Sequence, residues 1–426
     1  MKFQDLYNKA VISNIVGWDV GVNPTPDGYK AEELTKLDFL SSLKTFIEAN
    51  PEHVVSTYKK DGLFSDELEQ KAIQAQQKLY VKYKELKKTK QSPDDEYFSL
   101  FDEMVNIVKL KMKEKNWQPK EIFFFNDKNL GSPDQIIGLV SEMAEVSKEF
   151  LANKPTNISN RRLTFTMKGL TDYMDSFEDI SYHIGYNNGS FMTALDKDNS
   201  RIHIARNKKN IQDTAASITH EVGHALYQNR LLNKYTTVGQ LGDSISLSLH
   251  ESSSIFNEIS LSGIDFDISN DKKNLFRLGS DKIHYIIHIY IRMKIEEMLF
   301  TDQITAKDIS DVWNKMMTEY TGLTPKNDWE GFLQDVHWNQ GAFGYFHSYA
   351  IGFFNAVLMY NKIRKDLSGD LVEDTLKLVL PTIDKWYGRL NENSENIISI
   401  MHPNLKTSIS NYKLFINHHF NYKNVE

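Results

Sequence analysis

The stretch Ala215-Ala216-Ser217-Ile218-Thr219-His220-Glu221-Val222-Gly223-His224-Ala225-Leu226-Tyr227 decides how the rest of the chain is read. Ala215, Ile218, Val222, Ala225 and Leu226 recur at three- and four-residue spacing, which marks one apolar face of a helix. On that helix His220 and His224 stand four positions apart. Their imidazoles therefore share a side, with Cβ atoms about 6 Å apart, and can hold one metal ion between them. Glu221 follows the first histidine and can reach a water beside that metal without ligating, as the general base of a zinc peptidase does. Gly223 costs about 1 kcal/mol inside a helix. A Cβ-free position beside the metal and a close helix packing would each account for it.

Two histidines do not complete a zinc site, which needs a third protein ligand. Three downstream carboxylates compete: Glu251 in Leu249-His250-Glu251-Ser252, Asp243 and Glu258. Glu251 is far enough beyond His224 for the chain to turn and bring a second helix alongside. Asp243 sits near the expected start of that helix, where a carboxylate reads as a cap. Glu258 shares a face with Glu251 two turns on, and reads as support behind a ligand. Spacing alone leaves the choice open.

Helical patterns continue in both directions. Leu34, Leu37, Leu40, Leu43 and Phe46 mark a helix over 32–47, and an Ala-, Gln-, Leu- and Lys-rich run marks another over 67–88. The run Lys82, Lys84, Lys87, Lys88 and Lys90 is interrupted by Glu85 and reads as a solvated helix face. A helix follows over 96–115, breaking at Asn116 to Pro119. A turn is expected over 126–133, and Pro133 suits the first turn of a helix over 134–151. Between 185 and 206 the pattern changes. Asn187 to Ser190 read as a turn and Arg201 to Ala205 alternate as a strand, so a small sheet or hairpin is expected. Further helices are expected over 211–229, 244–262, 275–300, 306–319, 344–365 and 369–378. No repeat or linker divides the chain, which predicts one metallopeptidase domain over 1–426, of one body or two helical lobes.

Whole-chain properties restrict the function classes. With 426 residues, 40% of them hydrophobic and 25% charged, the chain is globular and large enough for a substantial core. A net charge of -7 supplies no basic surface for nucleic acid. The lack of cysteine rules out disulfides, thiolate ligands and a cysteine nucleophile. No stretch of eighteen apolar residues occurs and the N-terminus lacks a signal-type apolar core, so no membrane span is expected and a cytoplasmic location is the default.

Several separated motifs resemble the thermostable carboxypeptidase family of HExxH zinc metallocarboxypeptidases, peptidase family M32, and together they cover most of the chain. His220-Glu221-Val222-Gly223-His224-Ala225-Leu226-Tyr227 matches that family's zinc helix. His250-Glu251-Ser252-Ser253-Ser254 is similar to its His-Glu-Ser-Gln-Ser segment, whose glutamate is the third ligand. Phe276-Arg277-Leu278-Gly279-Ser280-Asp281 resembles Ile-Arg-x-x-Ala-Asp, and His288-Ile289-Tyr290-Ile291-Arg292 continues that helix. Gly331-Phe332-Leu333-Gln334-Asp335-Val336-His337-Trp338 matches Gly-x-x-Gln-Asp-x-His-Trp at every fixed position. Gly341 to Phe346 and Tyr349 are also family-like, and Gly17-Trp18-Asp19 resembles the family's beginning. There are departures. The family's Asp-x-Arg-x-Thr is Asn199-Ser200-Arg201-Ile202-His203, its arginine after His-Glu-Ser is Ile255, and its proline after Gly-Tyr-Phe is His347. The chain is shorter than typical members and its tail after Trp386 is atypical.

The resemblance implies a mainly all-α fold, a large helical body with a deep substrate groove and a small β-sheet beside the HExxH helix. It implies one Zn2+ per chain, with Co2+ an alternative ion, on His220, His224 and Glu251. Glu221 is then the base that activates water, with Tyr345 and His337 as donors to the oxyanion. Release of a C-terminal residue requires a reader of the free carboxylate, for which a planar guanidinium is suited. Arg277, Arg201 and Arg292 are the candidates, with Gln334 and Tyr349 as further substrate contacts and Glu258 and Asp335 as support. Peptide substrates and a homodimer follow from the same resemblance. The alternatives are a zinc endopeptidase or dipeptidyl carboxypeptidase on the same scaffold, and a non-catalytic peptide-binding scaffold.

Overall fold

Helices form where the three- and four-residue apolar spacing runs for several turns. The computed structural model describes residues 1–59, 62–125, 133–153, 165–185, 189–196, 199–206, 210–232, 239–241, 246–262, 282–387 and 405–420. Its first helices are α1 (Phe3–Val22), α2 (Pro26–Ala49), α3 (Val54–Lys59), α4 (Asp66–Thr89), α5 (Asp95–Glu114), α6 (Pro133–Ala152) and α7 (Met167–Asp175). Three strands follow, β1 (Ile180–Gly185), β2 (Phe191–Asp196) and β3 (Asn199–Ala205). The chain continues with α8 (Ile211–Tyr227), α9 (Leu247–Leu261), α10 (Lys282–Phe300), α11 (Ile309–Thr321), α12 (Phe346–Ile363), α13 (Leu371–Asp374), α14 (Leu380–Tyr387) and α15 (Leu405–Phe420). The expected helices over 32–47, 67–88, 96–115 and 134–151 correspond to α2, α4, α5 and α6. Pro133 occupies the first position of α6. Of the expected turn over 126–133, residues 126–132 lie outside the described residues, as do Asp243 and Arg277.

Two compact units can be distinguished. The first comprises Met1–Leu63, Arg161–Ile264 and Ile351–Phe415; the second comprises Phe64–Asn160, Asp265–Ala350 and Ile416–Glu426. In the first, α1 and α2 pack together over Leu6, Ala10, Leu43, Phe46 and Ile47. α1 is absent from the expected elements. Leu6 and Ala10 are buried while Ile12 and Ile15 face solvent, so apolar residues run round the helix and blur its period. The sheet has the order β1-β3-β2, with β1 parallel and β2 antiparallel to β3. Ser200, Ile202 and Ile204 alternate into full burial along β3. α8 lies against β3 and β2, which sets the small sheet beside the HExxH helix.

The second unit pairs α4 with α5, and packs α10 against α6 and α11. Trp313 and Trp338 are fully buried and meet edge to face, 6.3 Å between ring centres. Tyr83 donates to the Leu333 carbonyl (3.2 Å) and Tyr97 to Asn339 Oδ1 (2.9 Å), which ties α4 and α5 to the segment carrying His337. The basic run of α4 is matched locally. Lys82 pairs with Asp94 and Glu96, and Lys84 and Lys87 lie over the Tyr80 and Tyr83 rings. Among the described residues no helix is long and apolar enough to cross a membrane.

Candidate metal centre

The site is made by two helices that approach unusually closely. α8 begins at Asn210, whose Oδ1 accepts from the Gln212 amide, and α9 at Ser246, whose Oγ accepts from the Leu249 amide. A Cβ on Gly223 would stand 2.8 Å from Ser254 Cα and 3.0 Å from the Ser253 carbonyl oxygen. Close helix packing is therefore the reason for this glycine. Gly352 of α12 does the same on the other side of α9, where a Cβ would meet Glu251 Cβ at 2.7 Å. The serines of α9 make this possible. Ser252, Ser253 and Ser254 are small, fully buried, and donate back to carbonyls of their own helix. Asn257 then locks the two helices in register by donating to the Thr219 carbonyl at 2.6 Å.

That register brings His220, His224 and Glu251 together, with one ligand atom of each lying within 4.8 Å of the others. Glu251 Oε2 is 3.6 Å from His220 Nε2 and 3.7 Å from His224 Nε2. Tetrahedral ligands bound to zinc at ~2.05 Å stand about 3.3 Å apart, so both spacings suit one ion. The second nitrogen of each imidazole is engaged elsewhere. His220 Nδ1 meets Glu258 Oε2 at 3.0 Å and His224 Nδ1 hydrogen-bonds His250 Nδ1, so both Nε2 atoms are left to a metal. The Ser254 hydroxyl proton is shared between the Glu251 carbonyl at 3.1 Å and Glu251 Oε2 at 3.2 Å, which steadies the carboxylate. Two imidazoles and one carboxylate, each held from behind, form a donor set for a single Zn2+ or Co2+ ion.

The electrostatics of the cluster are those of buried carboxylates in excess. Glu221 is pushed up to about 7, first by burial and then by Glu251 and Glu258, against the pull of His220. Burial lowers His220, but the Glu258 hydrogen bond and the nearby carboxylates outweigh it and raise it to about 9. His224 is held well below the usual histidine range by burial and by the neighbouring His250 and His220. A dication among these groups is favoured by the same charges.

Arg292, Asp335, His337, Tyr345 and Tyr349 form a second cluster within the second unit. Asp335 is fully buried and accepts from Arg292 Nη1 at 2.9 Å, from the His337 amide at 2.7 Å and from His337 Nδ1 at 2.9 Å. His337 Nε2 is 3.2 Å from the Tyr349 hydroxyl, and its ring centre is 5.2 Å from that of Tyr345. Gln334 donates to the Glu330 carbonyl. Arg292 is engaged within the protein. Its guanidinium is buried, paired with Asp335 and stacked over Phe346 at 4.2 Å, so its charge is already matched inside the protein. Arg201 stands half-buried on β3, paired in register with Thr193 and Ser181.

Among the family departures, His203 is buried against His183 and Phe191, and Ile255 is fully buried. His347 is a core residue that burial pushes down to about 3. Spacing could not reveal His250, although its position beside Glu251 is the signal that marks it.

The fold is mainly helical, and its adjacent helices α8 and α9 carry a centre of two histidines and one carboxylate. The family model for the carboxypeptidase Taq (M32) metallopeptidases matches residues 176–264 and 259–397, and the chain belongs to that family. Carboxypeptidase 1 of Bacillus subtilis is 31% identical over 204 residues, 42% of this chain and 40% of that protein. Thermostable carboxypeptidase 1 of Pyrococcus furiosus is 31% identical over 199 residues, 41% of this chain and 40% of that protein. The sequence matches thus span about two fifths of the length of these curated relatives. The fold extends further. The M32 carboxypeptidase structure from Deinococcus radiodurans superimposes with a TM-score of 0.75 at 16% identity, covering 98% of this chain and 97% of that one.

Proposed function

We propose that this chain is a zinc metallocarboxypeptidase that hydrolyses the C-terminal bond of peptides. The observation that carries the reading is the convergence of His220, His224 and Glu251, with Glu221 buried on the same helix. When bound, zinc supplies Lewis-acid chemistry that polarises a carbonyl and makes a water acidic. Glu221 takes the proton of the attacking water and passes it to the leaving nitrogen. A carboxyl raised towards neutral pH suits both halves of that transfer. Tyr345 and His337 donate to the developing oxyanion. Asp335 on Nδ1 fixes the orientation of the His337 ring, whose Nε2 lies 3.2 Å from the Tyr349 hydroxyl. Arg201 and Arg277 are the candidates for reading the terminal carboxylate, with Gln334 and Tyr349 as further contacts. A single peptidase domain with a substrate groove, a homodimer and a cytoplasmic location belong to the same family-based proposal; light scattering tests the dimer.

The experiment is mass analysis of products from peptides with free and amidated C-termini, with and without a chelator, for the native chain and Glu221→Gln. The variant should keep stoichiometric zinc and lose about 10²- to 10⁴-fold in rate. Amidation removes a charge that a partly enclosed arginine binds, so kcat/KM should fall roughly thirty-fold or more. Equal rates on both peptides with internal cuts would replace the exopeptidase reading by the endopeptidase one. Zinc-independent peptide binding without any cleavage would leave only a scaffold.

A further inference from the structure

The two metal-facing imidazoles are held from behind by different chemistry. His220 has a carboxylate partner, Glu258, whereas His224 has another imidazole. α9 places His250 one residue before Glu251, so the same helix supplies a ligand and the partner of a second ligand. The His224 and His250 rings have centres 4.4 Å apart and planes inclined by 36°. Tyr227 closes the other side of His250 edge-on, with centres 5.4 Å apart. His224 Nε2 faces Glu251 and must offer its lone pair to a metal, so the hydrogen of the neutral ring lies on Nδ1. Nδ1 of His224 is therefore the donor, and Nδ1 of His250 the acceptor.

We propose that His250 is a positioning residue for the metal centre, holding His224 in the Nδ1–H tautomer and in the ring orientation that points Nε2 at the ion. This rests on the metal-site reading above. His250 does for His224 what Glu258 does for His220, with one difference. A carboxylate partner adds negative charge and strengthens its histidine as a donor, while a neutral imidazole fixes orientation alone. Glu221, Glu251 and Glu258 already stand at this helix pair, so a neutral acceptor orients the second ligand without a further buried charge.

Two amide variants separate this role from simple packing. In His250→Asn the side-chain oxygen is bonded to Cγ, as Nδ1 is, and can accept from His224. In His250→Gln the oxygen is one bond further out, at the level of Nε2. His250→Leu keeps bulk and has no acceptor. The zinc dissociation constant is measured by chelator competition, alongside the melting temperature of the metal-free protein. Gln and Leu should weaken zinc about 10- to 100-fold, Asn should stay within a few-fold of the native chain, and the metal-free melting temperatures of Asn and Gln should match. Native-like zinc affinity in both Gln and Leu overturns the proposal. So does an equal loss in Asn and Gln that follows a fall in metal-free stability. If Leu does not fold, the Asn–Gln pair decides. A native chain that binds no zinc would instead sink the metal-site reading itself.

Discussion

Two histidines in this molecule each present Nδ1 to a buried carboxylate, and they differ in what balances that carboxylate. In the second unit Asp335 holds His337 and also receives Arg292 at 2.9 Å. Burial opposes its ionisation, but Arg292 and His337 prevail and hold the carboxyl well below the usual range. In the first unit Glu258 holds His220 beside Glu221 and Glu251, and imidazoles are the neighbours of opposite tendency. There burial, and after it Glu251 and Glu258, raise Glu221 to about 7 against the pull of His220. The Asp335 cluster is balanced by its own guanidinium. The Glu251 cluster has charge left over for a dication.

The largest expected effect tests that division directly. Glu251→Ala deletes a ligand, whereas Glu258→Ala deletes only the partner of one. Competitive chelator titration should show zinc affinity falling on the order of 10³-fold or more for the first and about 10- to 100-fold for the second. An unchanged affinity in the Glu251 variant would remove the excess carboxylate from the metal site.

What was legible in the sequence follows the same line. His220, Glu221 and His224 lie on one helix, and their relation follows from 3.6 residues per turn alone. Glu251 and Glu258 share a face two turns apart, so choosing between them requires the α8–α9 register set by Gly223 and Asn257. His250 precedes Glu251 immediately, and consecutive helical residues point about 100° apart, so no periodicity argument brings Glu251 to the ligand cluster and His250 to the back of His224. The parallel pairing of β1 with β3 is a longer-range crossover than local turn signals at 187–190 disclose. Arg292 stands in a family-like segment that carries no sign of its partner. Asp335 supplies that partner from 43 positions away.

A smaller effect is expected at the balanced cluster. Arg292→Met leaves Asp335 buried without its cation, which should cost about 3–5 kcal/mol of stability in a denaturant titration. Asp335 has a depressed folded pKa, so its stabilising contribution is complete above about pH 4, the unfolded value, and is lost as pH falls towards the folded one. Acid titration of the native chain should therefore retain this contribution down to about pH 4, and the variant should lose less stability than the native chain below it. Equal stability of variant and native chain at neutral pH would show that the pair is not what balances Asp335.

The smallest effect is expected at Gly223, and it has a sign that distinguishes packing from backbone preference. Alanine is the better helix former by about 1 kcal/mol, so an interior helical glycine with free space around it should gain stability on substitution. Gly138 in α6 is such a position, with nothing within 4 Å of an added Cβ. At Gly223 the same methyl would stand 2.8 Å from Ser254 Cα and 3.0 Å from the Ser253 carbonyl oxygen, and backbone atoms of α9 cannot rotate away. Relief requires α9 to move, at a cost of about 1–3 kcal/mol that exceeds the propensity gain. Such a movement also carries Glu251 away from the two Nε2 atoms, because α9 bears the carboxylate and α8 both histidines. Gly138→Ala should therefore raise the melting temperature and leave zinc binding alone, while Gly223→Ala lowers the melting temperature and weakens zinc. If both glycines respond alike, the close approach of α8 and α9 does not set the ligand spacing, and the charge excess at Glu251 must be held in place by other contacts.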